Sequence, residues 1–501
     1  MKKILFLLCS CILFSNLYAD CLEQSTKKYF NSIKNNPKKL NLFLTKMPKG
    51  ADLHYHLDGG SYAENLFQYA LKSKKCIKPS SGQAENCTSK SDIPFTDIKQ
   101  KSVNYNEIIS DWSVVGNNIT KNNIRFYRYF PKTLSIRENN RGEILSEIVK
   151  RASLQNIIYL ELMLNPDEDQ IRAFGMKQTV SASNFKKFTM ALIDNGIKKY
   201  VNKLHLYMDS INKIKNHILK CGISKNNSSP CGVKVKYIYQ VNRDVNIKAF
   251  FSAALEGFLI ATEDKKFVGI SLVGNESGKF STKNYKEEMR IIAFLHKKYP
   301  IVKIELHAGE LSKNIPSDIP YIGSHIRDAV DIAHPNRIGH GTDIIYEKNF
   351  QSTLKKMREH QIAVEVCLTS NHRLLGITGN ESQILTYYHN NVPITLCTDD
   401  EGILRTNLTH QYELAGTKYN FTYSQLKNIA RNSIYYSFLP GKSLWESNQY
   451  TAVKKICRVD YSKKRLETTG CKNYLYKNEK ARMEWKLERR FYQFEKSIKD
   501  T

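Results

Sequence analysis

Histidines and carboxylates close four apolar runs of this sequence, and the chemistry such groups can share is metal-assisted hydrolysis. The run Ala51 to His56 ends His54-Tyr55-His56. Residues i and i+2 of a strand project to the same side, so both imidazoles point one way. The run Val302 to His307 ends in a third histidine, followed by Ala308-Gly309-Glu310. Gly309 permits a sharp turn there, which lets Glu310 face the same cavity. A third run ends Arg337-Ile338-Gly339-His340-Gly341, and Ile394 to Thr398 leads into Asp399-Asp400. Each piece is weak alone, because an HxH pair is common among exposed histidines and an acid after a strand is often a helix N-cap. Their coincidence at four strand ends, with no histidine at the others, is the stronger signal. Three neutral imidazoles and one carboxylate suit one Zn2+ with water completing the shell. Bound zinc lowers the pKa of that water towards ~7, and a glutamate and a histidine outside the shell can then move protons.

The elements that must position these groups are strands. Eight short apolar or alternating runs occur: Ala51 to His56, Ile157 to Met163, Val233 to Gln240, Phe267 to Val273, Val302 to His307, Arg337 to His340, Ile362 to Cys367 and Ile394 to Thr398. Most are separated by helix-length amphipathic stretches, which implies βαβ units and a parallel sheet. Eight of them predict closure into an α/β barrel of the (β/α)8 TIM type with extra helices and inserted loops, whose functional residues gather at the C-terminal strand ends. An open doubly wound sheet is disfavoured, since no Gly-rich phosphate turn follows the first run. Lys72 to Asp92 and Ile214 to Gly232 read as inserted polar loops. The expected organisation is a leader over 1–19, the barrel over 20–445 and a helical appendage over 446–501.

The leader reading rests on Lys2 and Lys3, an apolar run from Ile4 to Phe14 and a small residue, Ala19, at a cleavage position. The run is too short to span a bilayer, so export to the periplasm or the medium is expected, with no membrane span. The chain has 501 residues, 41% apolar and 25% charged, and carries a formal charge of +28, two units of it in the leader. That excess would give at most weak binding to polyanions, because no compact Arg-rich run with interleaved aromatics marks a specific nucleic-acid surface. Export permits disulfides, and Cys76 with Cys87, Cys221 with Cys231 and Cys457 with Cys471 each flank a polar segment that a bridge would close. Cys367 and Cys397 lie in apolar runs and read as buried thiols. Oligomeric state is left open.

Together the motifs are similar to a known set. Met47-Pro-Lys-Gly-Ala-Asp-Leu-His-Tyr-His-Leu-Asp-Gly59, Ser271-Leu-Val-Gly-Asn-Glu276, His307-Ala-Gly-Glu310, Arg337-Ile-Gly-His-Gly-Thr-Asp343 and Thr398-Asp-Asp-Glu-Gly402 resemble, in order, the motifs of adenosine deaminases, a family of metal-dependent hydrolases. The stretch from Asn432 to Pro440 resembles the family's C-terminal region, and the leader and cysteine loops resemble its secreted, growth-factor-related branch. The resemblance implies that His54, His56, His307 and Asp399 bind zinc, that Glu310 protonates purine N1, and that His340 orients the water. It further implies that Asp400 contacts N7, the backbone amide of Gly274 contacts N3, and Asp58 contacts the ribose. The implied reaction is hydrolysis of adenosine, and of 2′-deoxyadenosine, to the inosine product and ammonia. Glu310 has to be protonated when substrate binds, so a raised carboxyl pKa is expected. Ser271 and Glu401 depart from the family pattern and are expected to flank the pocket, and His372 is expected to cap a turn rather than to touch substrate. The alternatives are a deaminase for AMP, disfavoured by an acid rather than basic groups at the ribose end, one for adenine, or a secreted adenosine- or polyanion-binding protein without turnover.

Overall fold

Residues 21–222, 230–314 and 323–500 are described by a computed structural model; the leader 1–19 lies outside them. Each apolar run becomes a strand: β1 (Gly50–His56), β2 (Ile157–Leu164), β3 (Lys234–Asn242), β4 (Phe267–Val273), β5 (Lys303–Ala308), β6 (Arg337–His340), β7 (Ala363–Val366) and β8 (Ile394–Leu396). Their order in the sheet is their order in the chain. The pairings from β3 through β8 are parallel. A parallel bridge between Tyr55 and Asp399 joins the first strand to the residues just past the last. There the His56 amide donates to the Asp399 carbonyl at 3.2 Å and the Asp399 amide to the His54 carbonyl at 2.9 Å. The sheet thus returns to its start, and the fold is the expected (β/α)8 barrel. Strands covered on both faces need near-continuous apolar sequence, and β2, Ile-Ile-Tyr-Leu-Glu-Leu-Met-Leu, is buried at every position.

The chain divides into two compact units. One comprises 53–151 and 161–407; the other comprises the segment up to Asp52, residues 152–160, and 408 onward.

In the first unit the strand register aligns the residues that matter. His307, Gly339, Glu365 and Thr395 are successive partners across β5 to β8, and Gln240 pairs with Ser271 across β3 and β4. Gly339 is required there: a Cβ would meet Glu305 Oε1 at 2.5 Å and His54 Cε1 at 2.8 Å. The insert after β1 folds as a three-stranded antiparallel sheet of two-residue strands, beginning at Cys76–Ile77, and the Cys76–Cys87 bridge is formed. Cys221 and Cys231 are also bonded, while Cys367 and Cys397 are buried thiols as expected.

The second unit is helical apart from its strand segments. Phe43 packs edge-on against Tyr423 and Phe494, with centroids 5.9 and 5.0 Å apart. Arg431 grips Glu488 with two bonds of 2.8 and 2.9 Å. The charged C-terminal stretch forms the helix Glu479–Lys499. Cys457 and Cys471 are bonded inside an apolar cluster with Leu444, Trp445 and Trp485. Closing a loop with a sequence separation of 14 restricts the unfolded chain. Replacing both cysteines by alanine is therefore expected to lower stability by about 3 kcal/mol, read as a shift in urea midpoint at constant slope.

Candidate active site

Four imidazoles meet at the C-terminal end of the barrel, and each has its Nδ1 engaged. His54 Nδ1 lies 2.8 Å from Glu365 Oε2, His56 Nδ1 3.2 Å from Gln240 Oε1, His307 Nδ1 3.2 Å from Ser271 Oγ, and His340 Nδ1 3.0 Å from Asn371 Oδ1. An acceptor at Nδ1 fixes the tautomer and turns Nε2 inward as a lone-pair donor. Glu365 is itself held by Arg337, which also donates to Glu161 at 2.6 Å, all three side chains being fully buried. Ser271, where the family resemblance suggests an acid, lies behind His307 and supplies this hydroxyl.

The inward nitrogens form a donor set that fits a metal. His56 Nε2 is 3.3 Å from His307 Nε2, and Asp399 Oδ1 lies 3.2 Å from His56 Nε2 and 3.6 Å from His54 Nε2. Ligand-type atoms of His54, His307 and His340, and of His54, His56 and Asp399, lie within 4.8 Å of one another. The buried Nε2 atoms of His54 and His340 have no hydrogen-bond partner. Buried nitrogens without partners are costly unless something occupies the space between them, and nitrogen with carboxylate oxygen is a zinc-type set. His340 and Asp399 hold left-handed backbone, with φ of 62° and 66°. Such strain costs of order 1–3 kcal/mol per residue and is characteristic of functional sites.

Glu310 follows the turn at Gly309, whose φ is +69°, and its Oε1 lies 3.6 Å from His340 Nε2. Glu310 borders a cavity of about 820 Å³, a size ordinary for a small-molecule pocket. His56, His307, Asp399, Asp400, Gly274 and Asp58 line it. Burial and the charge of Asp399 raise the Asp400 carboxyl well above the usual range, which is the state able to donate to a ring nitrogen.

Three expectations change. Basic groups do stand beside Asp58: Arg137 Nη1 is 2.6 Å from Oδ2, and Arg141 binds both oxygens at 3.0 Å. Burial opposes ionisation of Asp58, yet the Arg141 and Arg137 guanidiniums overcome it and hold the carboxyl well below its ordinary value. Glu401 does not flank the pocket; it accepts from Tyr55 at 2.6 Å and Arg151 at 3.1 Å. His372 sits in the helix Leu368–Leu375 with Nε2 3.3 Å from Asn117 Oδ1, rather than capping a turn, and its neighbour Asn371 is the residue that reaches the site. The supporting layer was partly signalled by charge inside apolar strands, as in Glu161 and Glu365, which marks buried pairing.

Glu365→Gln is expected to weaken zinc binding by about 10- to 100-fold, because the amide lacks the charge that fixes His54. Competition with a chromophoric chelator measures it.

Residues 48–446 match the family model described as Adenosine deaminase. An adenosine deaminase of Clostridium perfringens is 24% identical over 402 residues, 79% of this chain and 95% of that protein. An N6-methyl-AMP deaminase of Bos taurus is 27% identical over 221 residues, 43% of this chain and 58% of that protein. The apo structure of the N6-methyl-AMP deaminase from Arabidopsis thaliana shares the fold, with a TM-score of 0.53, 21% identity, and coverage of 80% of this chain and 94% of that one. Matched over most of its length by one family model, and carrying that family's motifs on a closed barrel, the chain belongs to the adenosine deaminase family.

Proposed function

We propose that the protein hydrolyses the 6-amino group of adenosine, and of 2′-deoxyadenosine, releasing ammonia and the inosine product. His54, His56, His307 and Asp399 would hold one Zn2+ per chain, the set supported by their converging donor atoms. When bound, the ion supplies Lewis-acid activation of water at neutral pH. His340 orients that water and takes its proton. Glu310 gives its proton to N1 as the oxygen bonds to C6, so that no localised anion builds up on the ring. The C6–N6 bond then breaks as N6 takes the proton held by His340 and leaves as ammonia, the C6 hydroxyl proton returning to Glu310. Asp400 holds N7, the Gly274 amide holds N3, and Asp58 takes a ribose hydroxyl. The observation that carries this reading is the pair Glu310 and His340, 3.6 Å apart at the edge of the donor cluster.

A nucleotide substrate is the second reading, favoured by the arginines near Asp58. Those cations are spent, however: Arg137 and Arg141 on Asp58, and Arg172 on Glu168 at 3.2 Å. Glu138, Asp167, Asp169 and Asp244 also line the cavity, and acids there repel a phosphate. The neutral nucleoside is the better fit. Export fits the leader and the three bridges, which belong to an oxidising compartment; no helix among the described residues is long and apolar enough to cross a membrane.

Glu310→Gln is expected to keep its zinc and lose turnover by about 100-fold or more, followed by loss of adenosine absorbance. With the parent protein, adenosine is expected to exceed AMP and N6-methyl-AMP in kcat/KM by at least about 100-fold; the reverse order would move the assignment to nucleotides.

A further inference from the structure

Arg243 immediately follows β3, is fully buried, and has no part in the roles assigned so far. Its guanidinium reaches three segments of the site at once. Nε donates to the Gly274 carbonyl at 2.8 Å, Nη1 to the His307 carbonyl at 2.5 Å, and Nη2 to Glu310 Oε2 at 3.0 Å. Glu276 anchors it, with Oε2 3.4 Å from Nη1. The Glu276 carboxylate also accepts the Gly309 amide at 2.9 Å and the Glu310 amide at 2.6 Å, with His325 Nδ1 2.8 Å away. Burial would raise Glu276, but the charge of Arg243 and the His325 bond bring it down to about 2, so the anchor stays ionised. The pair therefore clamps Glu310 from both ends, the arginine at its side chain and the glutamate at its backbone.

We infer that Arg243 is a positioning residue for the deamination, acting through Glu310. With Oε2 held by the guanidinium, the Glu310 carboxyl cannot swing, and Oε1 stays turned toward His340 and the reacting ring. The same planar group ties the turn that carries Gly274 and the end of the strand that carries His307, so base, proton donor and metal-ligand strand keep one spacing. A lysine carries the charge but not the fork: its N–H groups leave a single nitrogen and cannot reach acceptors spaced around a planar guanidinium.

This inference rests on Glu310 being the proton donor, and the test separates the two. Arg243→Lys is made in the parent and in the Glu310→Gln background, and zinc stoichiometry, KM and single-turnover rate are measured on each. Loss of a fixed orientation is expected to lower the parent rate by about 100-fold, with full zinc and KM within about threefold. In the Glu310→Gln background the same substitution is expected to cost nothing further, because the two residues act as one unit. Should Arg243→Lys fail to fold, Glu276→Gln, which loosens the same guanidinium, is expected to give the same pattern. A rate within about threefold of the parent, multiplicative losses in the double variant, or a loss traced to missing zinc would each overturn the proposal. Full activity of Glu310→Gln alone would instead remove the reading beneath it.

Discussion

Everything at the mouth of this barrel depends on where the imidazole protons are. Histidines crowded in a buried space could turn either nitrogen inward, and a mixture of tautomers would leave the centre without a defined set of lone pairs. Four different acceptors remove that freedom: Glu365, Gln240, Ser271 and Asn371 each engage one Nδ1. The acceptors come from β7, β3, β4 and the helix after β7, so no single element determines the site. A closed sheet is what brings them to one depth.

That arrangement explains why a barrel core, normally filled with branched apolar side chains, contains buried ions. Glu365 cannot stay ionised beside His54 in an apolar interior without a counter-charge, and Arg337 provides it while also pairing with Glu161 on β2. Such an assembly seldom adds net stability compared with apolar packing, and breaking it is expensive. Its value lies in orientation. Arg243 with Glu276 repeats the device for a carboxyl rather than an imidazole.

The strand ends were legible in the sequence because two local rules suffice there: side chains two apart on a strand share a side, and barrel strands offer their C-terminal ends to the cavity. These bring His54, His56, His307, His340 and the pair Asp399-Asp400 to the mouth, and the turn at Gly309 adds Glu310; the family resemblance, not the pattern, singles out Asp399 from its neighbour. The supporting layer follows no local rule. Glu365 lies 311 residues from His54, and Ser271 lies 36 from His307; only the register across neighbouring strands brings them together. Arg137 and Arg141 were missed for a similar reason. Their separation of four suggests one helical face, yet they belong to two helices, Ile119–Asn139 and Arg141–Leu154, and converge on Asp58 through the break between them.

The left-handed backbone at His340 and Asp399 has a consequence for anyone wishing to harden this protein. Glycine rests more comfortably than histidine or aspartate in that region of conformational space. A campaign that selects only for heat resistance would be drawn to these two positions, and its best-scoring survivors would be sturdier barrels that had traded away their chemistry.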